Sequence, residues 1–250
     1  MNQATANQAA TNQAITNQAA TIRLASRLRQ LIPGTVLLSL LAACSSTPPA
    51  PDWQMNALGS TRRFTDAYLS GNTAIEGAEF QRARAETART GKAELVGRIE
   101  LLRCATRVAS AVFEACPGFA ALGEDAGATD RAYAAYLEGR LAPGDINLLP
   151  EQQRAAASAT SDQAAFEAVQ AIADPLSQLV AAGVLLRSGR ATPALLVTAA
   201  ETASKQGWSR PLLAWLGASA LRAEKAGDSA EAQRLRRRMA LVEGTNPAVN

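Results

Sequence analysis

Residues 189–244 read GRATPALLVTAAETASKQGWSRPLLAWLGASALRAEKAGDSAEAQRLRRRMALVEG. Glycines divide this stretch at intervals of 17–20 residues, at Gly189, Gly207, Gly227 and Gly244. Glycine adopts the left-handed backbone that ends helices without a steric cost. Thr192-Pro193 places a capping side chain before a proline, which is typical of a helix start. The stretch therefore predicts helices of about 15 residues joined by tight turns, and short connections make successive helices antiparallel neighbours.

A helical periodicity also extends over residues 95–113. Apolar or small side chains recur three or four residues apart, at Leu95, Ile99, Leu102, Thr106, Ala109 and Phe113. A second stripe lies beside the first, at Leu101, Ala105, Val108 and Val112. Two such stripes predict a helix that packs on more than one side. Further helix ends and starts are indicated by Gly71, Gly91, Gly139, Asp174-Pro175 and the capping-box variant Asp228-Ser229-Ala230-Glu231. The chain is therefore predicted to be all-α.

Small residues recur where the two helices of a hairpin would touch. Leu216, Ala220, Ala223, Gly227-Asp228 and Ala232 have a spacing that resembles a tetratricopeptide repeat, although Arg236 and Met239 depart from the family's preferences. Residues 67–71, AYLSG, recur 68 residues later as AYLEG, which is twice a repeat of about 34 residues. The resemblance implies antiparallel helical hairpins stacked in a solenoid. An irregular helical bundle is the alternative.

The N-terminal 43 residues contain no Asp or Glu, and three arginines precede a mostly apolar run of 13 residues, Leu31 to Ala43. A basic stretch before about 7–15 apolar residues is typical of a secretory signal. The sequence Leu41-Ala42-Ala43-Cys44 resembles the lipobox of bacterial lipoproteins. The resemblance implies cleavage before Cys44, acylation of that cysteine, and sorting by Ser45 to the outer membrane, facing the periplasm.

These features divide the chain into four predicted parts. Residues 1–43 are a lipoprotein signal peptide, residues 44–59 a lipidated N-terminus with a Pro-rich stalk, residues 60–244 an all-helical domain, and residues 245–250 a flexible tail. Several acyl chains on one residue anchor a protein stably, so a membrane is an expected partner.

Charge and composition argue against several classes of function. The chain has 25 Lys+Arg and 22 Asp+Glu, and removal of the three arginines of the leader leaves 22 against 22. A neutral protein lacks the basic excess on which nucleic-acid binding depends. Histidine, the commonest general base and zinc ligand, is absent from the sequence. We therefore expect no metal, no cofactor and no catalytic residue.

Two cysteines, Cys104 and Cys116, remain in addition to Cys44. A secreted chain enters an oxidising compartment, which favours a disulfide bond between them. A redox or nucleophilic thiol is the alternative, but CxxC spacing and a nearby base are missing. On an unbroken helix the two sulfurs would lie about 18 Å apart. The predicted bond therefore requires the helix to end near Ser110 and the chain to fold back.

Acidic side chains offer one candidate for catalysis. Glu76 and Glu79 lie three residues apart on a predicted helix, with Glu86 further along. Paired carboxylates perform acid–base chemistry in glycoside hydrolases. Arg82 lies three residues after Glu79, however, so an ion-paired helix surface is the ordinary interpretation.

Two groups of residues are candidates for interaction with a partner. The densest basic cluster consists of Arg234, Arg236, Arg237 and Arg238. It is interpreted either as a contact for an acidic partner or lipid headgroups, or as cations that complement a helix dipole. The stripe Ala232, Leu235, Met239 and Val242 is predicted to pack inward. Trp208 and Trp215 flank one helix start and indicate either an interface or a packed hairpin.

Together these patterns predict a periplasm-facing, membrane-anchored lipoprotein. We expect its helical body to act as an interaction scaffold in envelope assembly or maintenance, with a protein partner that the sequence does not identify. The alternative is a peptidoglycan-acting enzyme that uses Glu carboxylates.

Overall fold

The structure is a computed structural model, and it describes residues 50–244. The α-helices of this part are α1 (Asp52–Leu69), α2 (Thr73–Ala88), α3 (Ala93–Ala109), α4 (Pro117–Ala120), α5 (Ala128–Leu137), α6 (Glu151–Ser158), α7 (Asp162–Gln170), α8 (Pro175–Arg187), α9 (Pro193–Gln206), α10 (Ser209–Lys225) and α11 (Ser229–Gly244). A 3₁₀-helix, Pro143–Leu148, lies between α5 and α6. Residues 50–244 contain no strand, so the prediction of an all-α fold is confirmed.

Glycines end helices where the sequence predicts it. A positive φ between 68° and 88° is found at Gly71, Gly91, Gly139, Gly189, Gly207 and Gly227. Gly244 differs, because it is still the last residue of α11. The predicted caps also form, since the side chains of Asp174 and Thr192 accept hydrogen bonds from the backbone of Ser177 and Leu195. These local signals set most of the helix boundaries.

The helical region begins earlier than the predicted boundary at residue 60. Helix α1 starts at Asp52, directly after Pro51, so two helical turns occupy residues assigned to the stalk. The physical reason is a buried stripe at Ala57, Ser60 and Phe64, which continues the packed face of α1 toward its N-terminus.

Helix α3 is the central element of the core. It packs against α2, α5 and α8, which confirms the prediction of a helix packed on several sides. Its contact with α8 is close, because a Cβ atom on Gly183 would overlap the carbonyl oxygen of Val108. The predicted stripe ends at Ala109, however, and Phe113 lies beyond the helix with 38% of its surface exposed.

The last hairpin closes against the first helices. Ser209 Oγ donates to the carbonyl oxygen of Ser70 at 2.9 Å, and Arg210 Nε donates to that of Tyr68 at 2.7 Å. Each repeat of a solenoid contacts only its neighbours. A contact between α10 and α1 is therefore typical of an irregular helical bundle, although α9, α10 and α11 pack in sequence as antiparallel neighbours.

Candidate functional site

Cys104 and Cys116 form a disulfide bond, with their Cα atoms 6.1 Å apart. Helix α3 ends at Ala109, and the backbone of Ala111 is left-handed with a φ of 54°. The Val112 amide then donates back to Arg107 O at 2.9 Å, which reverses the chain. The predicted disulfide and the predicted helix end near Ser110 are therefore both confirmed.

A cleft of about 470 Å³ lies beside this disulfide. Its charged lining residues are Arg84, Arg103, Arg107, Glu100 and Glu114. Phe80 and the disulfide form its apolar walls, and the Arg103 guanidinium lies 4.1 Å from the centre of the Phe80 ring. We call this cavity the disulfide cleft. The cleft therefore combines five charged side chains with an apolar wall.

Glu76 lies next to the cleft and is 2% exposed. Its carboxylate accepts a hydrogen bond from Arg103 Nε at 2.7 Å and lies 3.8 Å from Arg107 Nη1. A buried carboxylate costs free energy unless its charge is compensated, and two guanidiniums compensate this one. Glu76 is therefore a structural ion-pair partner of Arg103 and Arg107.

Glu79 is bound by a different pair of arginines. Arg63 Nε lies 2.9 Å from Oε2, and Arg82 Nη1 lies 2.5 Å from Oε1. Burial alone would raise the pKa of the Glu79 carboxyl, but hydrogen bonds from Arg63 and Ser60 and the charges of Arg63 and Arg82 lower it overall. A general acid in a glycosidase requires a raised pKa. The shift at Glu79 has the opposite direction, and the ion-paired interpretation of this residue is confirmed.

Other charged pairs could not be predicted from the sequence, because their partners are distant in the chain. Glu100 is 7% exposed and accepts from Arg84 Nε at 2.8 Å across α2 and α3. Asp130 on α5 pairs with Arg98 at 3.4 Å. Spacings of three or four residues reveal pairs within one helix only. Glu86, by contrast, pairs with Arg89 at 2.9 Å, an interaction local to its helix end.

The arginine cluster lies on the outer face of α11. Arg234 pairs with Glu231 at 2.6 Å, Arg238 pairs with Glu201 at 2.9 Å, and Arg236 pairs with Glu224. Arg237 is exposed and has no charged partner within residues 50–244. Most of the positive charge of this cluster is therefore compensated within the fold.

The inward face of α11 is packed as predicted. Ala232 and Leu235 are buried, and Met239 and Val242 lie partly buried against the core. Beside Leu235, an apolar groove of about 220 Å³ lies between α9, α10 and α11. Its lining includes Pro193, Leu196, Val197, Ala223 and Leu235, with Arg222 and Glu231 among the charged members. We call it the C-terminal groove.

The two tryptophans have different roles. Trp215 is 0% exposed, and its Nε1 donates to the carbonyl oxygen of Ala109 at 2.9 Å. Its assignment as a candidate interaction residue is therefore wrong, because a partner cannot reach it. Its position two turns into α10 places the indole against the end of α3. Trp208 precedes α10 and is half-buried against the core.

Cys44, Ser45 and the tail 245–250 lie outside the described residues, so their assigned roles stay predictions. Within the described part, no group of three or more His, Cys, Asp or Glu side chains is arranged to hold a metal ion. None of the helices in that part has the length and apolar character needed to cross a bilayer. No family model, curated protein or solved structure matches this chain.

Proposed function

We propose that the protein is an outer-membrane lipoprotein that faces the periplasm and acts as a helical interaction scaffold in envelope assembly or maintenance. The sequence Leu41-Ala42-Ala43-Cys44 supports the anchor through its resemblance to a lipobox. The Cys104–Cys116 bond supports an oxidising compartment, where structural disulfides persist.

The observation that carries the scaffold role is the open C-terminal groove. Val197 lines it and is 59% exposed, so an apolar surface is available on a packed framework. Charged side chains at the rim, such as Arg222 and Glu231, provide orientation for a peptide or helix of a partner. A hydrophobic centre with a polar rim is the usual organisation of a protein–protein interface.

A peptidoglycan-acting enzyme has weaker support. Its catalytic carboxylates would be Glu76 and Glu79, and each is held by two arginines. A glycosidase also needs one carboxyl group that stays protonated near neutral pH. Although burial alone would raise it, the pKa of the Glu79 carboxyl is lowered overall by Arg63, Ser60 and Arg82, which is the opposite of that requirement, so the scaffold role is the better proposal.

Labelling of Cys44 tests the anchor. Cys44→Ala should abolish incorporation of labelled palmitate and release the protein from membrane pellets, whereas the matched variant Ser45→Ala should keep both properties. Continued membrane association of Cys44→Ala after a carbonate wash would refute the lipid anchor.

Substitutions in the C-terminal groove test the scaffold role. Val197→Asp should lose partners that co-purify from detergent-solubilised envelopes, because it places a charge on the apolar surface. Leu221→Asp is the matched control, since Leu221 is 60% exposed on α10 but does not line the groove. Arg236→Gln with Arg238→Gln tests the neighbouring basic cluster: the melting temperature should stay nearly unchanged, because the Arg236–Glu224 and Arg238–Glu201 pairs lie at the surface, and a loss of partners would show that the contact extends beyond the groove. Equal recovery of partners by Val197→Asp and Leu221→Asp would exclude this groove as the contact surface.

A further inference from the structure

The first helix exposes apolar side chains close to the proposed site of lipidation. Met55 is 62% exposed and Leu58 is 49% exposed, and both lie on the face of α1 opposite its buried stripe. They are three residues apart, so they form one continuous spot on the helix surface. Scattered exposed apolar residues are ordinary, so the position of this pair beside the tether carries the argument.

The distance along the chain restricts what this surface can meet. Only seven residues, SSTPPAP, separate Cys44 from Asp52. Eight chain steps link the Cα atoms of residues 44 and 52, and a fully extended chain spans at most about 3.6 Å per step, so the tether cannot exceed about 29 Å. Because this tether holds α1 near the lipid surface, the contact between them is intramolecular, and even a weak one forms at a high effective concentration.

We propose that the Met55–Leu58 face of α1 lies in the phospholipid interface and fixes the orientation of the domain on the membrane. The inference rests on the proposed lipidation of Cys44. The face changes character along the helix, from Met55 and Leu58 to Arg62 and Asp66, both of which are exposed. The N-terminal end of α1 therefore enters the interface while its C-terminal end stays in water.

The contact is apolar rather than electrostatic. Over residues 52–63 of α1 the charged side chains are Asp52, Arg62 and Arg63; Arg63 pairs with Glu79 at 2.9 Å, and the exposed Asp52 and Arg62 balance each other. A balanced surface gains little from anionic lipids. Insertion should therefore be insensitive to salt, unlike the binding of a basic patch.

Tryptophan reporters test the inference on the lipidated full chain in vesicles of phosphatidylethanolamine and phosphatidylglycerol. Leu58→Trp places a reporter on the proposed face, and Leu241→Trp is the matched control, because Leu241 is 73% exposed on α11. The chain has three native tryptophans, so emission is read as the difference from the unsubstituted protein. Thermal melts of both variants verify that they are folded.

Lipids with brominated acyl chains should quench about half of the emission added at position 58, since an interfacial indole lies next to the acyl boundary. The reporter at position 241 should keep its emission, and salt should change neither result. An unquenched reporter at position 58, or equal quenching at both positions, overturns the inference. A blue-shifted but unquenched reporter on a dimeric protein also overturns it, because a second copy would then cover the face.

A second arm separates this inference from the anchor itself. Cys104 and Cys116 are bonded, so Cys44 is the one remaining thiol among the three cysteines of the chain. A chain that begins at Cys44 and contains all of the described fold can be coupled there to a maleimide phospholipid. Missing palmitate on Cys44 in cells would refute the proposed lipidation, whereas quenching in the coupled protein still reports on the α1 face.

Discussion

Replacement of Gly183 by alanine tests the closest approach of two core helices, α3 and α8. The new Cβ would overlap the carbonyl oxygen of Val108, a backbone atom that cannot rotate away. Overpacking of a core costs about 1–3 kcal/mol, and a backbone obstacle places this case at about 3 kcal/mol. Alanine recovers about 1 kcal/mol through its higher helix propensity. We therefore expect Gly183→Ala to lower the free energy of unfolding by about 2 kcal/mol.

The assay is unfolding by heat and by urea, monitored by far-UV circular dichroism. For a domain of this size, a loss of 2 kcal/mol lowers the melting temperature by about 4–8 °C. Gly77→Ala is the matched control, because Gly77 lies inside α2 and a Cβ there would meet no atom within 4 Å. That variant should gain about 1 kcal/mol instead. If the two variants shift the melting temperature in the same direction, the close α3–α8 contact is refuted.

The remaining predictions concern separate parts of the fold. Replacing both Cys104 and Cys116 with serine should lower the free energy of unfolding by up to about 3 kcal/mol, measured by urea titration under non-reducing conditions. Ala111→Gly should raise it by up to about 1 kcal/mol, because glycine tolerates the left-handed φ of 54°; an unchanged urea midpoint would contradict this. Leu235→Asp should lower it by at least about 3 kcal/mol, since a charge enters the packed face of α11, and a wild-type melting curve would show that α11 is not docked. The pKa of Glu79 is lowered from 4.5, so its ion pairs stabilise the protein above pH 4.5 and lose this effect as the pH falls through the folded-state pKa. Glu79→Gln should therefore lose less stability than wild type on acidification from pH 7 to pH 3, and parallel losses would refute this assignment.

Local chemistry made the helix boundaries predictable. The repeated Ala-Tyr-Leu sequences at residues 67–69 and 135–137 each end a helix, and the residue after the following glycine donates back to the alanine carbonyl at 2.8 Å in both. A bond between Cys104 and Cys116 required a helix end near Ser110, and the helix ends there. Such features depend on a few consecutive residues, which a single sequence contains in full.

Contacts between distant segments were not predictable in this way. Glu100 and Arg84 belong to different helices, and their pairing depends on how α2 and α3 pack. The burial of Trp215 depends on the closure of α10 against the end of α3. The start of α1 at Asp52 also depends on tertiary burial, because Pro51 and the preceding prolines indicate a loop on their own.

The closure of α10 against α1 and α3 has a thermodynamic consequence. In an open repeat array the terminal units fray independently, so unfolding spreads over a wide range of denaturant. Here Arg210 completes hydrogen bonds at the end of α1, and Trp215 completes one at the end of α3. Removal of either α1 or the α10–α11 hairpin therefore exposes core side chains against which the other one packs. Residues 50–244 should unfold as one cooperative unit, and removal of α10 and α11 should melt α1 with them.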